Sequence, residues 1–233
     1  MNIVGCDLSI NGSGFTVLEC NDNLDVTNVF FLGFTKIKKL VRHLNNLHIE
    51  LLPKNYSEYP YHCRGNIIFD IFAKYYNPGN LDFMVVEDYS FGSKGNTFDI
   101  AEVIGGIKNR FYQLRIPYKK YSPSTIKLFA TGKGSADKVF MGLAFEQLKN
   151  GLIDDSVALP SYESPKADLV DSFWAAQLYR HELLYLKHGE PYSDILKPYG
   201  EKSIAALIGG NKKVKTAPAM EHETILYHNE YLN

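Results

Sequence analysis

The chain has 233 residues, 45% of them hydrophobic and 22% charged, which is enough apolar material for a full core and excludes a disordered or fibrous protein. A formal net charge of −1 and an isoelectric point near 6.7 argue against a protein that coats nucleic acid indiscriminately, because phosphate neutralisation dominates such binding. No apolar run approaches the roughly 20 residues of a membrane-spanning helix, and no basic flank or small-residue cleavage site precedes the first strand-like run, so a cytoplasmic protein with no membrane partner is expected.

In chain order, residues 2–7 (NIVGCD) form a short apolar run ending in Asp7, and residues 14–19 (GFTVLE) form a second run after the turn-rich NGSG. Residues 26–34 supply a third strand, and a meander is the simplest pairing of the three. Residues 36–50 (Ile37, Leu40, Val41, Leu44) and 64–76 (Ile67, Ile68, Ile71, Phe72) carry apolar positions at helical spacing, around a Pro- and Tyr-containing loop. LDFMVVED (81–88) is a continuous apolar run bounded by NPGN, as a buried central strand requires, and it ends near Glu87. A helix follows from Thr97 to Leu114, with Gly105 and Gly106 where a backbone or ligand can approach closely, and a brief strand spans 117–121. Ser122 caps a short helix opened by Pro123, Ser135 begins a longer one to about Leu148, and Ala167–Leu186 forms the last helix of the core. The expected architecture is an α/β fold whose mixed sheet of about five strands is flanked by helices, occupying residues 1–187. Residues 188–233, broken by Pro191, Pro198, Gly209–Gly210 and Pro218, read as a C-terminal extension.

Cys6, Cys20 and Cys63 are odd in number and widely spaced, so reduced thiols are expected, and His62 beside Cys63 lacks the second pair that a zinc site needs. Acids are more informative. Asp7 and Glu87 stand at the ends of two apolar strands, where burial without a partner is costly. Asp168 and Asp171 are spaced i, i+3 and share one helix face, able to meet the strand ends together. Each alone has a structural reading as a turn former, a solvated strand end or a charge on a helix dipole. Jointly they have the composition of a divalent-metal site, since Mg²⁺ takes oxygen ligands and phosphodiester hydrolysis gains from metals flanking the scissile phosphate. Between Lys94 and Lys138, nine basic residues stand against three acidic ones, a stretch able to face phosphates.

KLFATGKGSADK (127–138) followed by KADLVDSFWAAQ (166–177) resembles the RuvC family of junction-resolving endonucleases, whose members carry a similar G-x-G-S-A-acid-K stretch and then an A-D-x-x-D-A helix. The resemblance spans residues 1–186 patchily. It implies a ribonuclease-H-like fold, a homodimer, Mg²⁺ (with Mn²⁺ able to substitute) as cofactor, and branched DNA, four-way junctions above all, as substrate. It further implies Asp7, Glu87, Asp168 and Asp171 as metal ligands and catalytic residues, with Lys127 and Lys138 near the scissile phosphate. Lys138 is then also catalytic, as a point charge on the transition state. Lys133 and an aromatic wedge, Tyr89 or Phe91, complete the expected DNA contacts. The chain departs from the family in reading Asp7-Leu8-Ser9 where members often have D-P-G, and in its insertion at 51–63 and its tail. Its near-neutral charge and extra elements are in the style of viral or mobile-element members, which would place it in a host cell's cytoplasm. The same carboxylates suit a ribonuclease H acting on RNA–DNA hybrids. DLSINGSGF resembles the phosphate-binding hairpin of actin-like ATPases, although that fold normally needs two domains. A non-catalytic DNA-binding scaffold on the same fold is the remaining alternative.

Overall fold

The computed structural model describes residues 1–88, 97–152 and 164–188. β1 (Asn2–Leu8), β2 (Ser13–Cys20) and β3 (Val26–Thr35) form the expected antiparallel meander, turning at Ser9–Gly12 and at Asn21–Asp25. After α1 (Tyr61–Tyr75), β6 (Phe83–Glu87) enters parallel to β1, and after α2 (Thr97–Gln113), β7 (Tyr118–Tyr121) adds parallel to β6. α3 (Pro123–Thr131), α4 (Lys138–Leu152) and α5 (Lys166–His188) complete the described core. Among the described residues no helix is long and apolar enough to cross a membrane.

With β4 (Arg42–His43) and β5 (Leu47–Leu51), the sheet of the described residues has seven strands in the order β4-β5-β3-β2-β1-β6-β7, two more than expected. The extra pair comes from residues 36–50, expected to be helical, which instead form a 3₁₀ turn at Lys38–Leu40, then β4 (Arg42–His43) and β5 (Leu47–Leu51). Ile37 and Leu44, half of the supposed apolar stripe, are exposed, whereas Leu47 and Ile49 alternate inward with the period of a strand. Asn46 anchors the turn between β4 and β5: its carbonyl accepts from the Phe31 amide at 2.7 Å and its side chain donates to the Val29 carbonyl at 3.2 Å. Helical spacing over so short a window does not separate a helix from a hairpin when an Asn-Asn turn interrupts it.

Other expectations shift less. The extra segment 51–63 takes the last residue of β5, a 3₁₀ turn at Tyr56–Glu58 with Tyr56 buried, and the start of α1 at Tyr61. α4 begins at Lys138 and not Ser135, and the Asp137 carboxylate accepts from the Phe140 amide at 3.0 Å as its cap. Ser122 does cap α3, accepting from the Thr125 amide at 3.2 Å. The close approach at Gly106 is to α1 and not a ligand, because a Cβ there would stand 2.5 Å from the His62 carbonyl oxygen. The expected extension past residue 188 lies outside the described residues.

Alternation along β1 divides the core between two faces. Val4, Cys6 and Leu8 join Phe15, Val17, Phe72 and Phe111 under α1 and α2. Ile3 joins Leu18, Phe31, Phe83, Val85, Phe173 and Trp174 on the side covered by α3, α4 and α5. Gly5 and Asp7 therefore point toward α5. There the helix lies almost on the sheet: a Cβ on Gly5 would be 2.0 Å from the Ser172 carbonyl oxygen, and one on Gly14 would be 2.1 Å from that of Asp168. Thr16 and Ser172 join their hydroxyls at 2.7 Å in the same seam. Only glycine lets the two backbones come this near.

Gly5→Ala is expected to lower the melting temperature by several degrees, about 2–4 °C for each of the roughly 1–3 kcal/mol that overpacking costs. Gly105→Ala, where no atom lies within 4 Å of the added carbon, is the control and should be neutral or stabilising. Thermal denaturation of both variants checks this; equal melting temperatures would refute the seating of α5 on β1.

Candidate active site

Asp7 and Glu87 stand one step beyond Cys6 and Val86, the last paired residues of the parallel β1–β6 ladder, so both acids project from adjacent strand ends on the α5 face. Asp168 and Asp171 occupy the first two turns of α5, which crosses β2 and β1 at Gly14 and Gly5. Helix and sheet thus bring all four sequence-predicted acids onto one cavity of about 580 Å³, whose wall also includes Lys127, Lys138, Met141 and Ser164. The cavity is also lined by the β1–β2 turn (Ser9, Asn11, Gly12) and by the end of β3 with the residues after it (Phe34, Thr35, Lys36, Ile37).

The start of α5 is held from several sides. Lys166 pairs with Glu146 of α4 at 2.6 Å. Ser164 donates a short hydrogen bond to Asp168 Oδ2, and the Gly12 backbone rests so close that a Cβ there would lie 3.2 Å from the same oxygen. Lys138, the first residue of α4, sets its Nζ 4.0 Å from Asp168 Oδ1 while remaining 59% exposed, so it can also reach a ligand in the cavity.

Crowded acids resist ionisation. Burial, followed by the charges of Glu87, Asp171 and Asp168, pushes the Asp7 carboxyl well above its ordinary value. Burial and then Asp171 raise Glu87 to about 7, against the pull of Lys127 and Lys138. Burial raises Asp171 to about 6, with Lys138 opposing, and raises Asp168 against its bond from Ser164 and the charge of Lys138. Two lysines therefore compensate four carboxylates only in part, which leaves the cavity suited to a further cation. The donors are all oxygen, the set that hard divalent cations prefer. Among the described residues no three acid, His or Cys side chains stand at metal-ligating spacing.

The remaining sequence-predicted residues divide. Lys127, half-buried on α3, lines the cavity, whereas Lys133 is exposed in the turn after α3 and off the cavity wall. Tyr89 and Phe91 lie outside the described residues, as does Lys94. The basic stretch is not one phosphate-facing surface. Lys119 is buried against Glu182 at 2.5 Å, Lys120 pairs with Asp88 at 3.1 Å, Arg110 with Asp70 at 2.8 Å, and Lys108 lies over the Tyr118 ring at 4.4 Å. Cys6 and Cys20 are buried and all three cysteines are free. Sequence reasoning missed Ser164, Asn11 and Lys36. A Ser four residues before Asp168, just ahead of Pro165, was a legible signal; Lys36 had none while its segment read as helix.

No family model matches the chain. A segment of 57 residues is 37% identical to the crossover junction endodeoxyribonuclease RuvC of Gloeobacter violaceus, covering 24% of this chain and 33% of that protein. The chain therefore matches about a third of that relative's length. In structure it is similar to Thermus thermophilus RuvC, with a TM-score of 0.51 at 17% identity over 81% of this chain and 97% of the other. The chain has the RuvC-type fold. It is also similar to Fowlpox virus resolvase, solved with substrate Holliday junction DNA, at a TM-score of 0.51 and 15% identity over 79% of this chain and 99% of that one.

Stability should report the acid cluster. Because the folded-state pKa values are raised, the folded chain holds more protons than the unfolded chain between about pH 4 and pH 7, so the acids reduce stability as pH rises through that window. Glu87→Gln is thus expected to raise the melting temperature of the metal-free protein at pH 8, with the gain fading toward pH 4.5. Melts in chelator at the two pH values check it, and a pH-independent difference would contradict it.

Proposed function

We propose that this chain is a metal-dependent endonuclease hydrolysing phosphodiesters in branched DNA, four-way junctions in particular, and acting as a homodimer. The observation that carries the reading is the convergence of Asp7, Glu87, Asp168 and Asp171, from two strand ends and one helix face, on a cavity edged by Lys127 and Lys138. These acids would hold Mg²⁺ or Mn²⁺. Such a cation supplies an activated water and offsets charge on the departing oxygen.

The chain's own residues do the rest. Asp7, which feels the charges of all three other acids, would be the most central ligand of such a cation. Lys138 binds a non-bridging oxygen of the scissile phosphate as a point charge, and Lys127 supports it from α3. Ser164 and Lys138 fix the Asp168 carboxylate from opposite oxygens, so it meets substrate already oriented. A two-fold dimer presents two such cavities, which suits paired incisions across a symmetric junction. The RuvC match and the junction-bound Fowlpox virus resolvase support branched DNA over other phosphodiesters.

The deciding experiment is a cleavage panel of four-way junction, flap, splayed duplex, linear duplex and RNA–DNA hybrid, each with Mg²⁺ or Mn²⁺. Junction cleavage should exceed duplex and hybrid cleavage; preferential hybrid cleavage would make the enzyme a ribonuclease H, and no cleavage at all would end the nuclease reading. Asp7→Asn and Asp171→Asn should each reduce junction cleavage on the order of 10²-fold or more. Lys138→Ala should lose cleavage far more than binding, as followed by single-turnover kinetics and gel shift; equal losses would reduce it to a backbone contact.

A further inference from the structure

Lys36, Lys38, Lys39 and Arg42 follow the end of β3, and no acid occurs between Asp25 and Glu50. The chain is otherwise balanced, with 25 Lys and Arg against 26 Asp and Glu, so a run of cations without acids is a local feature of this segment. All four basic residues are exposed. Lys36 lines the cavity and donates to Asn11 Oδ1 at 2.8 Å, which ties its ammonium to the β1–β2 turn, whereas Lys127 and Lys138 line the same cavity from α3 and α4. Lys38 and Lys39 form the 3₁₀ turn, and Arg42 folds onto it, donating to the carbonyls of Lys39 at 2.9 Å and Val41 at 2.7 Å. Unlike Lys119, Lys120 and Arg110, none of these four is in an ion pair with a carboxylate of the described residues.

We propose that this strip is a second DNA-binding surface, on which Lys36 holds a phosphate next to the cleaved one and Lys38, Lys39 and Arg42 follow the backbone of the arm leaving the site. The proposal rests on the nuclease reading and adds to it the path of the substrate. A strand crossing the cavity has to pass over both rims, and four acids on its floor repel phosphate unless cations flank them. Lys127 and Lys138 supply cations to the cavity from α3 and α4, and Lys36 supplies one from the end of β3. The 3₁₀ turn then carries positive charge outward from the cavity along a segment with no acid of its own, as a polyanion requires.

The test is salt-dependent binding of a synthetic four-way junction, in an Asp171→Asn background so that no strand is cut. Removing one phosphate-binding cation lowers the slope of log K against log salt by about 0.9. Lys38→Ala/Lys39→Ala should therefore lower it by about 2 and Lys36→Ala by about 1, with melting temperatures unchanged because the residues are exposed. In the otherwise wild-type enzyme Lys36→Ala should also slow single-turnover junction cleavage, whereas the double variant should act mainly on binding. Steep salt-dependent binding that all three substitutions leave intact would overturn the proposal while sparing the nuclease reading; the strip would then serve another anionic partner. Failure of the parent protein to bind junction at any salt would overturn both.

Discussion

The site depends on how closely α5 lies on the sheet. A helix normally stands off a strand by the length of the side chains between them, and here that layer is missing over β1 and β2, where Gly5 and Gly14 face the Ser172 and Asp168 carbonyls. The first turns of α5 are thereby lowered to the level of the strand ends, and acids as short as Asp168 and Asp171 reach the same cavity as Asp7 and Glu87. Neighbouring contacts hold this seating: the hydroxyls of Thr16 and Ser172, the pair of Lys166 with Glu146, and the burial of Phe173 and Trp174. Backbone proximity sets the geometry, and the polar and apolar contacts keep it from sliding.

That geometry works against folding. Four carboxylates are buried around one cavity, and burial first, with repulsion from neighbouring acids second at Asp7, Glu87 and Asp171, raises their pKa values. Lys127 and Lys138 offset part of it, and Ser164 satisfies one oxygen of Asp168. Elsewhere on the same face the charges are satisfied: Lys119 and Tyr121 both bond Glu182 in a buried group. A cluster left short of cations within an otherwise compensated core is where a ligand of positive charge gains most, and a site kept for function carries that cost in stability.

Most of the site was readable in the sequence, because the signals that placed it are local. Runs of apolar residues ending in Asp7 and Glu87 mark buried strand ends, and the i, i+3 spacing of Asp168 and Asp171 holds in any helix. The meander, the parallel central strand and the Ser122 cap follow from equally local rules. What escaped depends on contacts distant in sequence. The β4–β5 pair exists because β5 pairs with β3, and within 36–50 itself only the Asn45–Asn46 turn opposes the apparent helical period. The role of Gly5 and Gly14 becomes visible only once α5 is laid across them. The basic stretch from 94 to 138 dissolved for the same reason, since Asp70, Asp88 and Glu182 come from other elements to pair with it. Conversely the cations after β3 gained meaning only when that segment turned out to border the cavity.

The central claim is that Asp7, Glu87, Asp168 and Asp171 form one divalent-metal site. Anomalous scattering from a crystal of the protein soaked in Mn²⁺ tests it most directly. Density among these four carboxylates, abolished in the Asp7→Asn protein, is the predicted result. Mn²⁺ bound elsewhere with the cavity left to Lys138 and water would contradict it.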